Sequence, residues 1–332
     1  MLAVITGASG LLGSNLAENL LHAGWRVRAT RRGTSRVDHL ADLNIDWVEA
    51  GLDQPDALAR AFDGADAVFH CAAAVSTLAK PTPALVTSNV DGTRNVLDAH
   101  RRSGAGRLVY VSSAVCVGLS ADGQPVDETA PWNFEREKLA DGYTVTKYQA
   151  ELLVRAAASE GLDTVIVNPT FMYGPRDVRP SSGRTIVEIA RGKLPALPKG
   201  VSNFVDVRDV VEGMRLAFER GRPGERYLLS GENRRWAEMF RSIAEILGVR
   251  IPGWEAPVWT SKLIGWAGDL GQLVSGKELT INSMAVRWSY TQNFQFTCEK
   301  ARRELGYAPG SPDEGVRAAV DWFRSAKMIP PA

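Results

Sequence analysis

The chain has 332 residues, with 39 lysines and arginines against 38 aspartates and glutamates, and a formal net charge of +1. This balance argues against nucleic acid or a membrane surface as the main partner, because both attract strongly basic proteins. The 3 cysteines are widely spaced and odd in number, so they form neither a disulfide framework nor a structural zinc site. We expect reduced thiols, no metal and a cytoplasmic location, since the first residues also lack a secretion signal.

The first half of the chain alternates short apolar strands with amphipathic helices. The apolar runs predict strands at 2–5, 26–30, 46–48, 65–70, 108–112 and 164–168. Helical patterns lie between them at 11–22, 37–43, 56–62, 86–103 and 143–160. Continuous apolar strands that alternate with helices are typical of a parallel sheet covered on both faces. We therefore expect an α/β fold with a doubly wound parallel (Rossmann) sheet, whose ligands bind at the carboxyl ends of the strands.

Beyond residue 169 the pattern becomes less regular. A Gly/Pro-rich stretch at 173–200 contains a helix near 184–191, and strands at 204–207 and 226–229 flank a helix at about 209–219. The remainder, 235–332, is helical and rich in tryptophan. We predict a larger Rossmann domain for a cofactor, from 1–168 plus about 204–232, and a smaller, mainly helical substrate domain from about 169–203 plus 233–332.

A glycine loop, residues 6–13, joins the first strand to the first helix. In a dinucleotide site Gly7 permits the tight turn, Gly10 lets the backbone approach a pyrophosphate, and Gly13 lets the helix pack closely on the strand. The pyrophosphate then lies against the N–H groups of the helix N-terminus, where the helix dipole favours negative charge. The spacing differs from the dinucleotide fingerprint G-x-G-x-x-G, but the position of the loop directly after a buried strand predicts dinucleotide binding.

The end of the second strand indicates which nicotinamide cofactor is bound. A carboxylate there would accept a hydrogen bond from the ribose 2′-hydroxyl group, whereas arginine pairs with a 2′-phosphate. The sequence has Arg31 and Arg32 at this point, with Arg36 close by and no acid between them. These residues favour NADP(H) over NAD(H).

Tyr143 and Lys147 lie four residues apart and so share one face of a helix. A free phenol, with a pKa near 10, exchanges protons poorly at neutral pH. A nearby ammonium group lowers that pKa by stabilising the phenolate. Ser113 closes the fifth strand at the edge where the cofactor should lie, so it can hydrogen-bond to the same substrate oxygen as Tyr143. Together the three residues predict a catalytic triad for a carbonyl or alcohol group.

At this point the sequence resembles the extended short-chain dehydrogenase/reductase family, in its dihydroflavonol-4-reductase-like and 3β-hydroxysteroid-dehydrogenase-like branch. The resemblance covers essentially the whole chain. Besides the glycine loop and the triad, segments that match family signatures are 70–73, 89–96, 168–170, 173–177, 204–210 and 300–307. Gly51 stands where many members have an aspartate that contacts adenine, which leaves that contact to the backbone of Leu52.

The resemblance implies that Tyr143 protonates the carbonyl oxygen, Lys147 also binds the nicotinamide ribose, and Ser113 holds the substrate oxygen. The implied cofactor contacts, beside Arg31 and Arg32, are Gly7, Ser9, Gly10, Leu11, Leu12, Gly13, Leu52, Cys71, Ala72, Ala73, Val111, Tyr143, Lys147, Asn168, Pro169 and Thr170. The expected substrate contacts are Val75, Ser113, Phe171, Met172 and Arg176. Many relatives form a homodimer through a four-helix bundle, here of helices 86–103 and 143–160, and a monomer remains the alternative.

Three reactions share this scaffold. Dehydratases carry an Asp-Glu pair after the triad hydroxyl, but Ala114 and Val115 follow Ser113 here. Nucleotide-sugar epimerases place a diphosphate-binding arginine where this chain has Ser202, although Arg287 lies near a second such position. We therefore expect simple ketone reduction or alcohol oxidation, with a sugar or nucleotide-sugar epimerase as the alternative. A non-catalytic NADP(H)-binding redox sensor is a further alternative, which the complete triad disfavours.

The C-terminal region suggests the kind of small-molecule substrate. Trp254, Trp259 and Trp266 are close in sequence, with Leu263 and Ile264 between them, in a region that closes over the active site in relatives. Pockets for ring systems are lined mainly by aromatic and apolar groups. We expect a bulky, largely apolar substrate, although the same residues would also suit the core of a small domain.

Overall fold

The computed structural model describes residues 1–120, 122–194, 196–275, 279 and 282–331. It contains a parallel sheet of 7 strands in the order β3-β2-β1-β4-β5-β6-β9 and a second sheet of 3 strands in the order β10-β8-β7. The strands are β1 Leu2–Thr6, β2 Arg26–Arg31, β3 Ile45–Glu49, β4 Ala67–His70, β5 Arg107–Val111, β6 Thr164–Pro169, β7 Phe171–Tyr173, β8 Val201–Asp206, β9 Arg226–Leu229 and β10 Glu232–Arg235.

Helices cover both faces of the large sheet. They are α1 Leu11–His22, α2 Pro55–Phe62, α3 Pro83–Val86, α4 Gly92–Ser103, α5 Gly142–Ser159, α6 Arg184–Ala190, α7 Val207–Arg220, α8 Trp236–Leu247, α9 Val258–Ser275, α10 Ser283–Tyr290, α11 Glu299–Leu305 and α12 Pro312–Ser325. Helices α1, α7 and α11 bury their apolar residues on one face of the sheet, and α2, α4 and α5 on the other. Every residue of β1, β4 and β6 is buried, as strands covered on both faces require.

The strand order fixes where a ligand can bind. β1 lies between β2 and β4, so the connections from the sheet centre run in opposite directions on its two sides. Such a reversal leaves a crevice outside the carboxyl ends of the strands, which is where doubly wound folds bind ligands. The predicted α/β fold with a doubly wound parallel sheet is confirmed.

The second sheet carries the smaller, C-terminal part of the molecule. β8 pairs in parallel with β7 and antiparallel with β10, and the sheet packs with α6, α8 and α12 in a separate apolar core. The strand predicted at 204–207, which we grouped with the cofactor domain, therefore belongs to this second sheet. The helix predicted at 86–103 is interrupted by a π-helical turn at Thr87–Asp91 before α4 begins.

Candidate active site

The glycine loop between β1 and α1 is compact and admits no side chains at two positions. Gly7 has a φ of +76°, and a Cβ atom there would lie 2.6 Å from the backbone of Ala72. A Cβ atom on Gly13 would lie 2.4 Å from the Gly7 carbonyl oxygen. The first turn of α1 is thereby held directly against the loop, with its N-terminal N–H groups free of intrahelical partners. This cradle suits the pyrophosphate of a dinucleotide.

A cavity of about 640 Å³ extends from the glycine loop to the triad, along the carboxyl ends of the strands. It is lined by most of the predicted site residues: Gly7, Ser9, Gly10, Leu11, Leu12, Gly13, Cys71, Ala73, Val75, Val111, Ser113, Tyr143, Lys147, Pro169, Thr170 and Met172. The structure therefore brings the glycine loop and the triad, which are more than 100 residues apart in sequence, to opposite ends of one crevice. A dinucleotide that binds the glycine loop and holds its reactive ring beside the triad requires this arrangement.

Tyr143 lies in the first turn of α5, whose N-terminus is fixed by a capping box. The Asp141 carboxylate accepts the Thr144 N–H at 2.7 Å, and the Thr144 hydroxyl accepts the Asp141 N–H at 2.7 Å. Tyr143 and Ser113 both line the cavity, and burial raises the pKa of Tyr143 above its usual value, although the Ser113 side chain acts in the opposite direction. Proton transfer from this phenol at neutral pH therefore requires a cation nearby.

Lys147 supplies that cation one turn further along α5. Its Nζ atom donates to the Val111 carbonyl at 2.8 Å and to the Tyr110 hydroxyl at 3.2 Å, and it lies 4.8 Å from the Tyr110 ring centre. Burial lowers the pKa of Lys147 to about 8, although the negative charge of Glu151 acts in the opposite direction. Two hydrogen bonds thus fix the ammonium group at the edge of β5.

Glu151, the next residue along the same face of α5, is fully buried beneath the triad. Its carboxylate accepts from the Ser112 hydroxyl at 2.6 Å and from the Asn168 amide at 2.7 Å, and it pairs with the Arg226 guanidinium at 3.0 Å. Asn168 also donates to the Ser113 carbonyl at 2.9 Å. This network fixes the backbone that carries Ser113, and it places Asn168 in a supporting position rather than on the cavity wall.

Sequence reasoning missed Glu151, Ser112 and Arg226, although one signal for Glu151 was available. Glu151 follows Lys147 by four residues, so a helix that buries the lysine must bury this glutamate too. Besides Arg36, which we expected near the cofactor, the cavity is lined by residues that were not predicted: Asp38, His39, Ser112, Asp177, Val178, Arg179 and Ser181. Most of them come from two loops, after β2 and after β7, whose paths the sequence does not define.

The two arginines at the end of β2 lie beside the adenine end of the crevice. Arg31 pairs with Glu49 of β3 in the sheet register, and the Glu49 carboxylate lies against Gly33. Arg36, rather than Arg31 or Arg32, reaches the wall of the cavity. Leu52 lies near α4, where its carbonyl accepts from the Asn95 amide at 2.8 Å.

Two predicted substrate residues are placed away from the cavity. The Phe171 ring packs against the rings of Phe204 and Trp236 at 5.7 and 5.1 Å, inside the second core. The Arg176 guanidinium is held by the carboxylates of Glu18 at 3.0 Å and Asp42 at 2.7 Å. We therefore assign these two side chains structural roles in place of the predicted substrate contacts.

The tryptophans that we expected near the substrate are on the surface. Trp254, Trp259 and Trp266 are more than half exposed, and none of the three is among the residues that line the cavity within the described part of the chain. Val75, by contrast, is exposed at the cavity mouth. Val75, Met172 and Val178 are among the apolar residues that line the cavity.

Residues 3–230 match the model of the NAD dependent epimerase/dehydratase family. The chain belongs to this family. It is 36% identical to the putative dihydroflavonol 4-reductase of Synechocystis, over 97% of this chain and 94% of the relative. It is also 33% identical to sterol demethylase protein B of Methylococcus capsulatus, over 99% of this chain and 100% of the relative.

The fold of a nucleoside-diphosphate-sugar epimerase from Pseudomonas aeruginosa is similar as well, with a TM-score of 0.80 and 27% identity over 99% of both chains. Relatives named reductases and dehydrogenases support the extended short-chain dehydrogenase/reductase branch. The chain is thus an NAD(P)-dependent oxidoreductase of the kind that acts on CH–OH or keto groups.

Proposed function

We propose that this protein is an NADPH-dependent ketoreductase that acts on a bulky, largely apolar ketone or on the matching secondary alcohol. The observation that carries the proposal is that Ser113, Tyr143 and Lys147 line the same cavity as the glycine loop. A hydroxyl pair in this position can hold one carbonyl oxygen and deliver a proton to it. The reductases among the relatives support the same reaction.

The crevice suits the cofactor because Gly7 and Gly13 let the loop pack closely against β4 and α1, and Gly10 lines the cavity where a pyrophosphate would approach the backbone. When bound, the nicotinamide supplies the hydride. Tyr143 then donates its proton to the substrate oxygen, which Ser113 holds by a hydrogen bond. Burial disfavours the phenolate that results, and in our proposal the Lys147 ammonium, which lines the same cavity, stabilises it.

The expected positions do not hold the side chains that the two competing enzyme classes use, the Asp-Glu pair of dehydratases and the diphosphate-binding arginine of epimerases. Ser113 is followed by the buried, apolar Ala114 and Val115, which cannot act as the acid and base of a dehydratase. Ser202 is paired in the sheet with Arg234, and that guanidinium is held by Glu232 at 2.6 Å and Asp313 at 2.8 Å. A buried diphosphate requires a cationic partner, and Ser202 stands where epimerases have the arginine that supplies it, so an uncharged substrate is favoured.

The preference for NADPH rests on the arginines near the end of β2. Arg31 ends the strand, Arg32 follows it and Arg36 lines the cavity, so two or three guanidinium groups are available for a 2′-phosphate. They outnumber the two nearby carboxylates, that of Glu49 on β3 and that of Asp38, which lies 3.7 Å from the Arg36 guanidinium. Charge-assisted hydrogen bonds to a phosphate are strong enough to determine cofactor choice.

The apolar character of the substrate rests on the cavity wall. Val75, Met172 and Val178 line the cavity, which suits a hydrocarbon ring next to the reacting carbonyl. The similarity over the full length to a protein named for sterol demethylation supports this class.

The test is a screen of NADPH consumption with two panels of candidate substrates, apolar ring ketones and nucleotide sugars. The proposal predicts turnover of one or more ring ketones and none of the sugars. Efficient epimerisation of a nucleotide sugar would instead establish the alternative enzyme, and tight NADPH binding without turnover of either panel would support a redox sensor.

A further inference from the structure

Helix α9 presents an apolar stripe to solvent. Trp259, Leu263, Trp266, Leu270 and Leu273 follow one another at alternating steps of four and three residues, so they share one face of the helix. Their exposed fractions lie between 48% and 81%. Contiguous apolar surfaces of this kind are rare on soluble monomers and usually mark an interaction site. We call these five residues the α9 face.

The opposite side of α9 packs on the protein through small and polar groups. Ser261 and Gly265 are the buried residues of the helix, and a Cβ atom on Gly265 would lie 2.9 Å from the Ser283 backbone of α10. The Asp269 carboxylate accepts the Ser283 N–H at 3.1 Å. A surface helix normally buries its apolar side and exposes its polar side, so α9 is inverted and its exposed side requires an apolar environment.

The exposed apolar sector is wider than a seam for a second helix. Ile264 and Val274 extend it to about half the circumference of α9, and Trp254 and Leu279 lie beside it, all at least one third exposed. A coiled-coil seam occupies a narrow strip of a and d positions. A wide sector with three tryptophans matches partial immersion in the interface of a bilayer, where tryptophan is enriched.

The charges at the margin of this surface are complementary to anionic lipids. Lys262, on α9 itself, is exposed, and so is Lys199. Lys199 follows Leu197 by two residues, and the Leu197 N–H donates to the Trp254 carbonyl. The nearby Glu255 carboxylate is neutralised by Arg235 at 2.7 Å. Lysines next to an apolar helix face add electrostatic attraction to acidic headgroups.

We propose that the α9 face docks this protein on the surface of a lipid bilayer that contains anionic lipids. No helix of the described residues is long and apolar enough to cross a membrane. The proposal departs from the expectation, based on the net charge of the whole chain, that no membrane is a partner. A total charge near zero does not reveal a local apolar patch with a basic margin.

The docking helix is connected to the catalytic end of the molecule. At the start of α10, the Asn282 amide donates to the Thr77 hydroxyl at 2.9 Å, and Leu78, in the same loop, accepts the Gly142 N–H at 2.9 Å. The loop that begins near Val75 thus joins α9 and α10 to the first turn of α5. An apolar substrate could then pass from the bilayer to the cavity. This consequence rests on the proposed function, but the docking itself does not depend on it.

Vesicle flotation of the full-length protein, without substrate, tests the docking. The vesicles consist of phosphatidylcholine alone or of phosphatidylcholine mixed with phosphatidylglycerol. The wild-type protein should bind both, and the mixed vesicles more tightly. Leu263→Gln and Leu270→Gln should each weaken binding about tenfold, because each removes buried apolar area. Lys262→Gln should weaken binding to the mixed vesicles alone, by about fivefold.

Leu152→Gln is the matched control, since Leu152 is an exposed leucine on a different helix, α5. It should bind vesicles like the wild type, and the melting temperature should not change in any variant because all these side chains are exposed. Failure of the folded wild-type protein to float with either vesicle would overturn the proposal, as would equal loss of binding in the control. A dimer that Leu263→Gln dissociates, in a protein that binds no vesicles, would show instead that the α9 face joins two copies of the chain.

Discussion

Replacement of Glu151 by glutamine tests whether the buried network beneath the triad supports both stability and catalysis. The glutamine oxygen could still accept from Ser112 and Asn168, which now donate to one carboxylate oxygen at 2.6 and 2.7 Å. The glutamine amide group, however, would face Arg226, whose side chain is 15% exposed and is 3.0 Å from the second carboxylate oxygen. The substitution would therefore leave a mostly buried guanidinium group without its counter-charge.

We expect Glu151→Gln to lower the free energy of unfolding by about 3 kcal/mol, at the lower end of the range for breaking a buried ion pair. The loss is at the lower end because the carbonyls of Glu128 and Cys116 still accept from Arg226 at 3.0 and 3.1 Å. Glu160→Gln is the matched control, since its pair with Arg101 is exposed and should contribute less than about 1 kcal/mol. Urea unfolding of the three proteins measures both differences.

The same substitution should change the pH dependence of turnover. Burial lowers the pKa of Lys147 to about 8, and the Glu151 carboxylate opposes that shift. Without the carboxylate the pKa of Lys147 falls further, so the cationic form, which predominates below the pKa, is lost at a lower pH. The alkaline limb of kcat/KM should move to lower pH in Glu151→Gln and stay in place in Glu160→Gln. An unchanged profile together with wild-type stability would refute the role assigned to Glu151.

Three further variants test the cofactor site and the triad. Tyr143→Phe should reduce kcat by roughly 10²–10⁴-fold, because it removes the proton donor. The Kd for NADPH, measured by fluorescence titration, should stay unchanged. Near-normal turnover would show that another group donates the proton. Arg32→Ala should weaken NADPH binding about tenfold or more and leave NADH binding unchanged. If the wild-type protein bound NADPH and NADH with equal Kd values, the assignment of the 2′-phosphate site would be wrong. Gly13→Ala should weaken cofactor binding and lower Tm, since its Cβ atom would lie 2.4 Å from the Gly7 carbonyl oxygen. Gly253→Ala is the control, because a Cβ atom added there would have no neighbour within 4 Å, and it should have little effect on either measurement.

The fold, and the placement of Tyr143 and Lys147 on one helix, could be predicted from the sequence because both depend on local patterns. Apolar strands that alternate with helices determine the sheet, and the i, i+4 spacing places Tyr143 and Lys147 on one helix face. The error at Phe171 is also local in origin. Neighbouring residues of a strand point to opposite sides, so Phe171 and Met172 in β7 could not both face the cavity. The structure places Met172 at the cavity and Phe171 in the second core.

Other features of the site depend on contacts between distant segments. Arg176 is held by Glu18 and Asp42, which lie 158 and 134 residues away in sequence. Arg226 reaches Glu151 across 75 residues. No periodicity reveals such partners, because they meet only when the loops and the second sheet have been positioned on the large sheet. The inverted helix α9 is a similar case, since an apolar stripe on a helix normally predicts burial.

Transfer of deuterium from labelled NADPH to the substrate tests the proposed reaction most directly. NADPH that carries deuterium at the transferring position of its nicotinamide is mixed with an apolar ring ketone that supports turnover, and the product is analysed by mass spectrometry. We predict an alcohol with one deuterium at the former carbonyl carbon, formed in equal amount with NADP⁺ by the wild-type protein and not by Tyr143→Phe. A substrate epimer formed without net production of NADP⁺, or an alcohol that contains no deuterium, would contradict the assignment of this protein as a ketoreductase.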